Sequence, residues 1–309
     1  MTWWLPAASS NAAEIDHLLL ALTLMASAVL LLVFGLMWRF MFKYRADSPS
    51  RRGAVAGKTW RLEMAWTGAT LVVFFGLFLW GANLYLRLFQ PPADALTVYV
   101  VAKQWMWKAE HTGGQREINA LHVPAGRPVR LLMTSEDVIH DFSVPAFRIK
   151  HDVLPGRYEA MWFRADRPGS YALYCTQFCG TDHAAMTGTV VVMQGPDYQR
   201  WLQENGAAGT LVAAGQALFV RDGCEGCHGG HGTVRAPPLA GLYGSPVPLA
   251  DGSVVIADDR YIRDSILLPS SQVVAGYAPV MPSFAGVIGE EDLIRLLAYI
   301  KSLSPEKTS

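Results

Sequence analysis

Two short stretches of this 309-residue chain concentrate side chains that bind transition metals. The first, CTQFCGTDHAAM, brings Cys175, Cys179, His183 and Met186 together, each with a donor atom for a soft metal. His140, in the upstream run TSEDVIHDF, adds a fifth donor at the end of a strand-like segment. One His followed by a Cys-His-Met loop is the pattern of a one-copper electron-transfer site in a β-sandwich. Here there is one thiol more than such a site uses. Two thiolates four residues apart can bridge two coppers, each keeping one imidazole, from His140 or His183. Met186 then serves one copper weakly and a backbone carbonyl serves the other. Such ligands tolerate both oxidation states of copper, so the chemistry is electron transfer rather than catalysis. A Cys175–Cys179 disulfide and a structural zinc site are the other readings of the same residues.

The second stretch is CEGCH. It is a c-type haem attachment motif, with Cys224 and Cys227 as thioethers and His228 as one axial ligand of the iron. Met281, in PVMPSF, is the one methionine after Met193, and His231 lies too near His228 to reach the opposite haem face. Met281 is therefore the expected sixth ligand, and His/Met ligation raises the haem potential.

Composition agrees with this inventory. Four cysteines in two close pairs do not make a disulfide scaffold. A net charge of zero gives no reason to expect nucleic acid. A hydrophobic fraction of 51% is high for a wholly soluble protein. From Pro196 onward there are 12 acidic and 8 basic residues, an excess that either draws a basic partner or is ordinary solvated surface.

The elements that must position these residues follow from periodicity. Residues 18–38 and 64–86 are free of charge and long enough to cross a bilayer as helices. The loop between them has Arg39, Lys43, Arg45, Arg51, Arg52, Lys58 and Arg61, whereas the first sixteen residues have no Lys or Arg. The positive-inside rule puts that loop in the cytoplasm and both termini outside. The first apolar run is too long for a signal peptide and lacks a basic region before it.

Residues 95–195 read as a sandwich of short strands: LTVYVVAKQWMW, RPVRLLM, RYEAMWF, SYALYC and GTVVVM, separated by turn formers. Residues 196–210 read as a short helix and a Gly/Ala-rich linker. Residues 211–309 are helical, with AAGQALFVRDG, DDRYIRDSILLP and GEEDLIRLLAYIKSL as the helices. Residues 1–94 form the membrane part. The expected class is a multidomain membrane protein with a two-helix transmembrane hairpin, an antiparallel β-sandwich and an all-α domain.

Over about residues 15–195 the chain resembles cytochrome c oxidase subunit II. The resemblance rests on CTQFCGTDHAAM, on Glu63-Met-Ala-Trp66-Thr67 at the start of the second span, on Gln104-Trp105-Met106-Trp107, on Ser135–His140 and on Leu154–Arg157. Residues 211–303, with Gly215 and Phe219 in the first helix, resemble a class I cytochrome c. Together they resemble subunit II of a caa-type haem-copper oxidase in a bacterial cytoplasmic membrane, with its copper and haem domains on the periplasmic side. The resemblance implies that the antiparallel β-sandwich is cupredoxin-like and that the all-α domain is a class I cytochrome c domain. It implies a binuclear copper centre, one haem c, a cytochrome c-like donor, and subunit I with other oxidase subunits as partners. It implies that Trp105 is where electrons reach the copper, that Glu63 stands at the mouth of a proton channel, and that Gln177 gives its backbone carbonyl to copper. Gln177 replaces the commoner Glu, whose carboxylate reaches a magnesium ion. That magnesium site is expected to be weak, rebuilt from other residues or absent. The alternatives are the electron-accepting subunit of a copper-containing nitric oxide reductase, or a membrane-anchored electron carrier.

Overall fold

The computed structural model describes residues 6–50, 58–206, 209–229 and 236–304. Arg51, Arg52 and His231 lie outside the described residues. The two apolar runs form helices α1 (Ala12–Lys43) and α2 (Trp60–Leu88). Both extend past the apolar stretch because the flanking residues are also compatible with helix. Almost none of their surface is buried within the chain. Helices apolar on all sides and unburied need lipid as solvent.

One end of this hairpin is fastened to the next domain. Glu14 of α1 pairs with Arg87 of α2. Asp16 accepts from Arg148 at 2.8 Å, and the Trp162 indole N–H donates to the Arg87 carbonyl at 3.1 Å. The Ala8 N–H donates to the Ala146 carbonyl at 2.9 Å. The segment before α1 and the end of α2 therefore both touch the β domain and lie on its side.

The β domain has ten strands: β1 (Leu96–Lys103), β2 (Met106–His111), β3 (Arg116–Ile118), β4 (Ala120–Pro124), β5 (Pro128–Ser135), β6 (His140–Val144), β7 (Ile149–Val153), β8 (Glu159–Arg164), β9 (Gly169–Cys175) and β10 (Thr187–Met193). They form two five-stranded sheets in the orders β3-β2-β1-β5-β8 and β4-β10-β9-β6-β7. Most neighbours are antiparallel, but β1/β5 and β4/β10 run parallel. The chain crosses to the other sheet between the members of each pair and returns in the same direction. Val98, Val100, Leu131, Met133, Val190 and Val192 point into the shared core at alternate positions.

Strand β1 is buried on both faces. Tyr99 and Val101, between the core positions, are also covered, and they cluster with Leu132 and residues of the C-terminal domain. This is why VYVV is continuously apolar rather than alternating. Two expected segments differ. LTVYVVAKQWMW is two strands, turning at Gln104-Trp105. β5 ends at Ser135, whose hydroxyl donates to the Val138 carbonyl at 2.6 Å and closes a turn, so His140 opens β6 instead of ending a strand.

Beyond the sandwich come α3 (Gly195–Glu204), α4 (Leu211–Arg221), a single turn α5 (Glu225–His228), a ribbon of β11 (Pro246–Pro248) and β12 (Val254–Ile256), then α6 (Asp259–Leu267) and α7 (Glu290–Ser302). Thr210 caps α4 by accepting from the Ala213 N–H, and Asp258 caps α6 by accepting from the Tyr261 N–H. Helices α4 and α7 cross at Gly215. A Cβ there would lie 1.9 Å from the Arg295 carbonyl oxygen and 2.8 Å from Tyr299 Cβ. Gly215→Ala is expected to destabilise this domain by about 3 kcal/mol or more through overpacking. Thermal unfolding followed at the haem band checks this, and an unchanged midpoint would mean the crossing has slack.

Helix α3 is not a free tether. Tyr198 is buried and its hydroxyl contacts His111 Nδ1 at 3.2 Å, while the Trp201 ring stacks on His122 at 4.6 Å. Glu117 lies between the two imidazoles and hydrogen-bonds both.

Candidate metal centres

The end of the sandwich formed by the β1–β2, β5–β6 and β9–β10 connections carries the first centre. His140 is fully buried at the start of β6, and Cys175 is buried at the end of β9. The β9–β10 loop then folds back, with a 3-10 turn from His183 to Ala185. It brings Cys175 Sγ to 3.8 Å from Cys179 Sγ, too far for a disulfide bond, which needs about 2 Å. None of the four cysteines is joined in a disulfide. Cys175 Sγ lies 3.9 Å from His140 Nδ1 and 3.2 Å from the Gln177 carbonyl oxygen. Cys179 Sγ lies 3.4 Å from His183 Nδ1 and 3.8 Å from Met186 Sδ. Among the described residues, His140, Cys175 and Cys179 offer ligand atoms all within 4.8 Å of one another.

This donor set fits two metals better than one. Two sulfurs sit centrally; an imidazole and a carbonyl flank Cys175, and an imidazole and a thioether flank Cys179. One tetrahedral zinc would use four of the six donors and leave two idle. In the metal-free chain the two thiols share the cost of one charge. Burial acts to raise the Cys175 thiol, yet hydrogen bonds from His140 and nearby backbone hold it down at about 7. Burial and the neighbouring Cys175 push Cys179 up to about 12. Metal binding displaces both protons and so strengthens as pH rises.

Three further residues support this site: Gln104 and Asp137, which lie in stretches that carry the resemblance but have no role assigned there, and Asp141. Asp137 Oδ1 lies 2.8 Å from His140 Nε2, which leaves Nδ1 facing the sulfurs. Burial alone would raise the Asp137 carboxyl, but hydrogen bonds from the Gln104 N–H, His140 and the Val138 N–H hold it low. Gln104 also donates from Nε2 to the Cys179 carbonyl at 2.8 Å. Asp141, buried beside His140, accepts from the Thr176 hydroxyl. An acid three residues before a ligand histidine is a usable sequence signal, because ligand imidazoles need a partner on the second nitrogen. Asp137→Asn is expected to weaken copper binding by about 10- to 100-fold while leaving the haem spectrum alone. Competition with a copper chelator measures this; equal affinity would remove Asp137 from the site.

Trp105 lies at the same end. Gly180, in the copper loop, has φ +117°, and a Cβ there would meet Gln104 Nε2 at 2.9 Å and Trp105 Cζ2 at 3.3 Å. Only glycine lets the loop lie this close to the Trp105 turn. The Trp105 indole N–H is buried with no partner among the described residues. The Gln177 side chain is exposed. Glu63 lies elsewhere, in the first turn of α2, where it accepts from the Thr59 hydroxyl.

The second centre is an apolar cavity of about 370 Å3 in the C-terminal domain, a size suited to a cofactor. His228, Cys224 and Met281 all line it, with Phe219, Phe284 and Leu296 among the apolar walls. Cys227 is exposed and is not among the lining residues. His228 Nδ1 lies 3.0 Å from the Pro237 carbonyl, so it donates there and leaves Nε2 for an iron. The donor set and the apolar walls fit a haem c. Pro237, in the stretch RAPPLAGLYG after CEGCH, is the residue that the sequence pattern does not single out, because its role is that of a backbone carbonyl.

A membrane-anchored cupredoxin-like domain joined to a cytochrome c domain, with a copper-type thiolate site and a haem cavity, defines an electron-transfer subunit. The family description "Cytochrome C oxidase subunit II, periplasmic domain" matches residues 114–194, and "Cytochrome c" matches residues 212–304. The chain is 29% identical to "Cytochrome c oxidase subunit 2" of Alkalihalophilus pseudofirmus, over 93% of this chain and 86% of that one. It is 31% identical to "Heme-copper oxidase subunit 2" of Aeropyrum pernix, over 57% of this chain and 85% of that one. A solved structure of the periplasmic domain of subunit II of cytochrome oxidase from Bradyrhizobium japonicum is 29% identical, covering 38% of this chain and 96% of that one at TM-score 0.36. The chain belongs to the subunit II family of haem-copper oxidases, in a form that carries its own cytochrome c domain.

Proposed function

We propose that this subunit accepts electrons at a haem c held by Cys224, Cys227, His228 and Met281, and delivers them to a two-copper centre. That centre is held by His140, Cys175, Cys179, His183, Met186 and the Gln177 carbonyl. The electrons then go to the haems of subunit I for reduction of oxygen to water coupled to proton translocation. The observation that carries this reading is the doubled donor set around one pair of sulfurs, in the same chain as a cavity lined by His228 and Met281. When bound, the two groups supply one-electron redox chemistry tuned by thiolate, imidazole and thioether ligands.

The chain's own residues do the holding. Asp137 and the Pro237 carbonyl fix the tautomers of His140 and His228. Burial of His140, Cys175, Cys179 and Met186 keeps water from the sulfurs. Phe178, exposed in the middle of the copper loop, suits contact of that loop with a partner subunit. Trp105, against Gly180, suits electron delivery to the copper, and Glu63 at the start of α2 suits the mouth of a proton path. The basic loop between α1 and α2 supports a cytoplasmic position for that loop and a periplasmic one for both metal domains. Purification in mild detergent, followed by assays of oxygen and nitric oxide uptake by the copurifying complex, tests the reading. Oxygen uptake with reduced cytochrome c as donor is expected; uptake of nitric oxide alone would give the subunit to a nitric oxide reductase.

A further inference from the structure

We propose that the haem domain is locked onto the copper domain by an ionic seam, and that Glu110 and Arg295 are positioning residues that keep the haem docked throughout turnover. The functional consequence rests on the electron-transfer reading above. The lock itself does not.

Domains in one chain usually move relative to one another unless their interface is large and apolar. The apolar part here is Tyr99, Val101 and Leu132 on the outer face of the first sheet, clustered with the haem domain's core. Apolar contact is non-directional and would permit sliding. The polar groups around it are not permissive. Arg295 of α7 presents Nε and Nη2 to the two carboxylate oxygens of Glu110 in β2, at 3.3 and 3.2 Å. Both side chains are only 10% exposed. A planar two-pronged contact fixes direction as well as distance. Next to it, Lys108 of β2 bridges Glu136 at 3.1 Å and Glu291 of α7 at 2.7 Å.

Three further attachments oppose rotation about that seam. Arg263 of α6 donates to the Gly156 carbonyl at 2.6 Å and to Glu290. Asp259 takes Arg130 of β5 on one oxygen and Lys301 on the other. At the start of the domain, the Leu211 N–H donates to the Thr112 carbonyl at 3.3 Å. The acidic excess of the C-terminal part thus meets basic residues of the chain's own copper domain, Lys108 and Arg130. The Glu110–Arg295 pair, only 10% exposed on each side, is weakly screened by salt, and removing one partner strands the other charge in a buried place, whereas the Lys108 and Arg130 pairs are partly exposed and contribute less. A haem domain that swung between donor and copper would have to rehydrate these groups in every cycle.

The test uses the full chain in its complex, loaded with metals. Spin labels on Ser170→Cys and Arg260→Cys, with both centres reduced, report the distance between the domains. In parallel, the rate of electron transfer from haem to copper is followed against salt and glycerol. The unchanged chain is expected to give one narrow distance and a rate insensitive to both. Arg295→Glu, which faces Glu110, Glu291 and Asp292, is expected to broaden the distance and slow the transfer by about tenfold, with the rate now falling in glycerol. The haem and copper spectra should not move, which separates positioning from damage to either site. Glu110→Gln should give a smaller change of the same kind, and combining it with Arg295→Gln should cost less than the sum of the two. A broad distance in the unchanged chain, or a rate that already falls in glycerol, would overturn the lock. A narrow distance with no electron transfer would support the lock and overturn the functional reading.

Discussion

A Cys179→Ser chain keeps its haem and loses its copper pair; that is the expected result, and the geometry gives the reason. Cys179 Sγ is the donor that the His183 imidazole and the Met186 thioether both face. It also stands 3.8 Å from Cys175 Sγ, where it would be the second bridge of the proposed copper pair. A serine hydroxyl is a hard, protonated oxygen that a soft copper does not hold in place of thiolate. Copper content should fall from about two per haem to one or less. The haem cavity is built by other residues of another domain, so the haem band and its covalent attachment should persist. Metal analysis with visible spectra checks both halves. Two coppers retained in the serine variant would mean that Cys179 does not bridge.

Met281→His is expected to keep the haem bound and lower its potential by on the order of 0.1 V, because imidazole replaces a thioether on iron. His228 and Cys224 would be untouched, and His228 would still be oriented by the Pro237 carbonyl. Within the proposed route, the haem would then become a stronger reductant that accepts electrons less readily from its donor. Redox titration followed at the haem band measures the shift, and the copper spectrum serves as an internal control. A potential equal to that of the unchanged chain would mean Met281 lines the cavity without binding iron.

How much of this was legible beforehand depended on range. The membrane helices were readable because uniform apolarity is a local signal, and α4, α6 and α7 because their period is local too. Most metal-type residues were readable as types and spacings within two short stretches, CTQFCGTDHAAM and CEGCH. What the sequence hid was long-range. β3, β4, β6 and β7 are three to five residues long and include His122, Lys150 and His151, so no alternation stands out. The continuous apolarity of β1 is the trace of burial on both faces, but it does not say which domain covers the second face. The hydrogen bond from Gln104 to the Cys179 carbonyl joins residues 75 apart by geometry alone, and the one from His228 to the Pro237 carbonyl depends on how a loop folds back, whereas Asp137, three residues before His140, is a local signal. The short helix before the Gly/Ala-rich linker is legible, but its docking on the sandwich through the buried Tyr198 and the Trp201 stacked on His122 is not.

The central claim is that one chain holds a haem and, beside it, two coppers bridged by Cys175 and Cys179. Magnetic resonance of the oxidised, fully loaded chain, with copper and iron counted in the same sample, tests it most directly. The expected result is an unpaired electron coupled equally to two copper nuclei, with two coppers for each haem iron. An electron coupled to a single copper nucleus, with one copper for each iron, would contradict it.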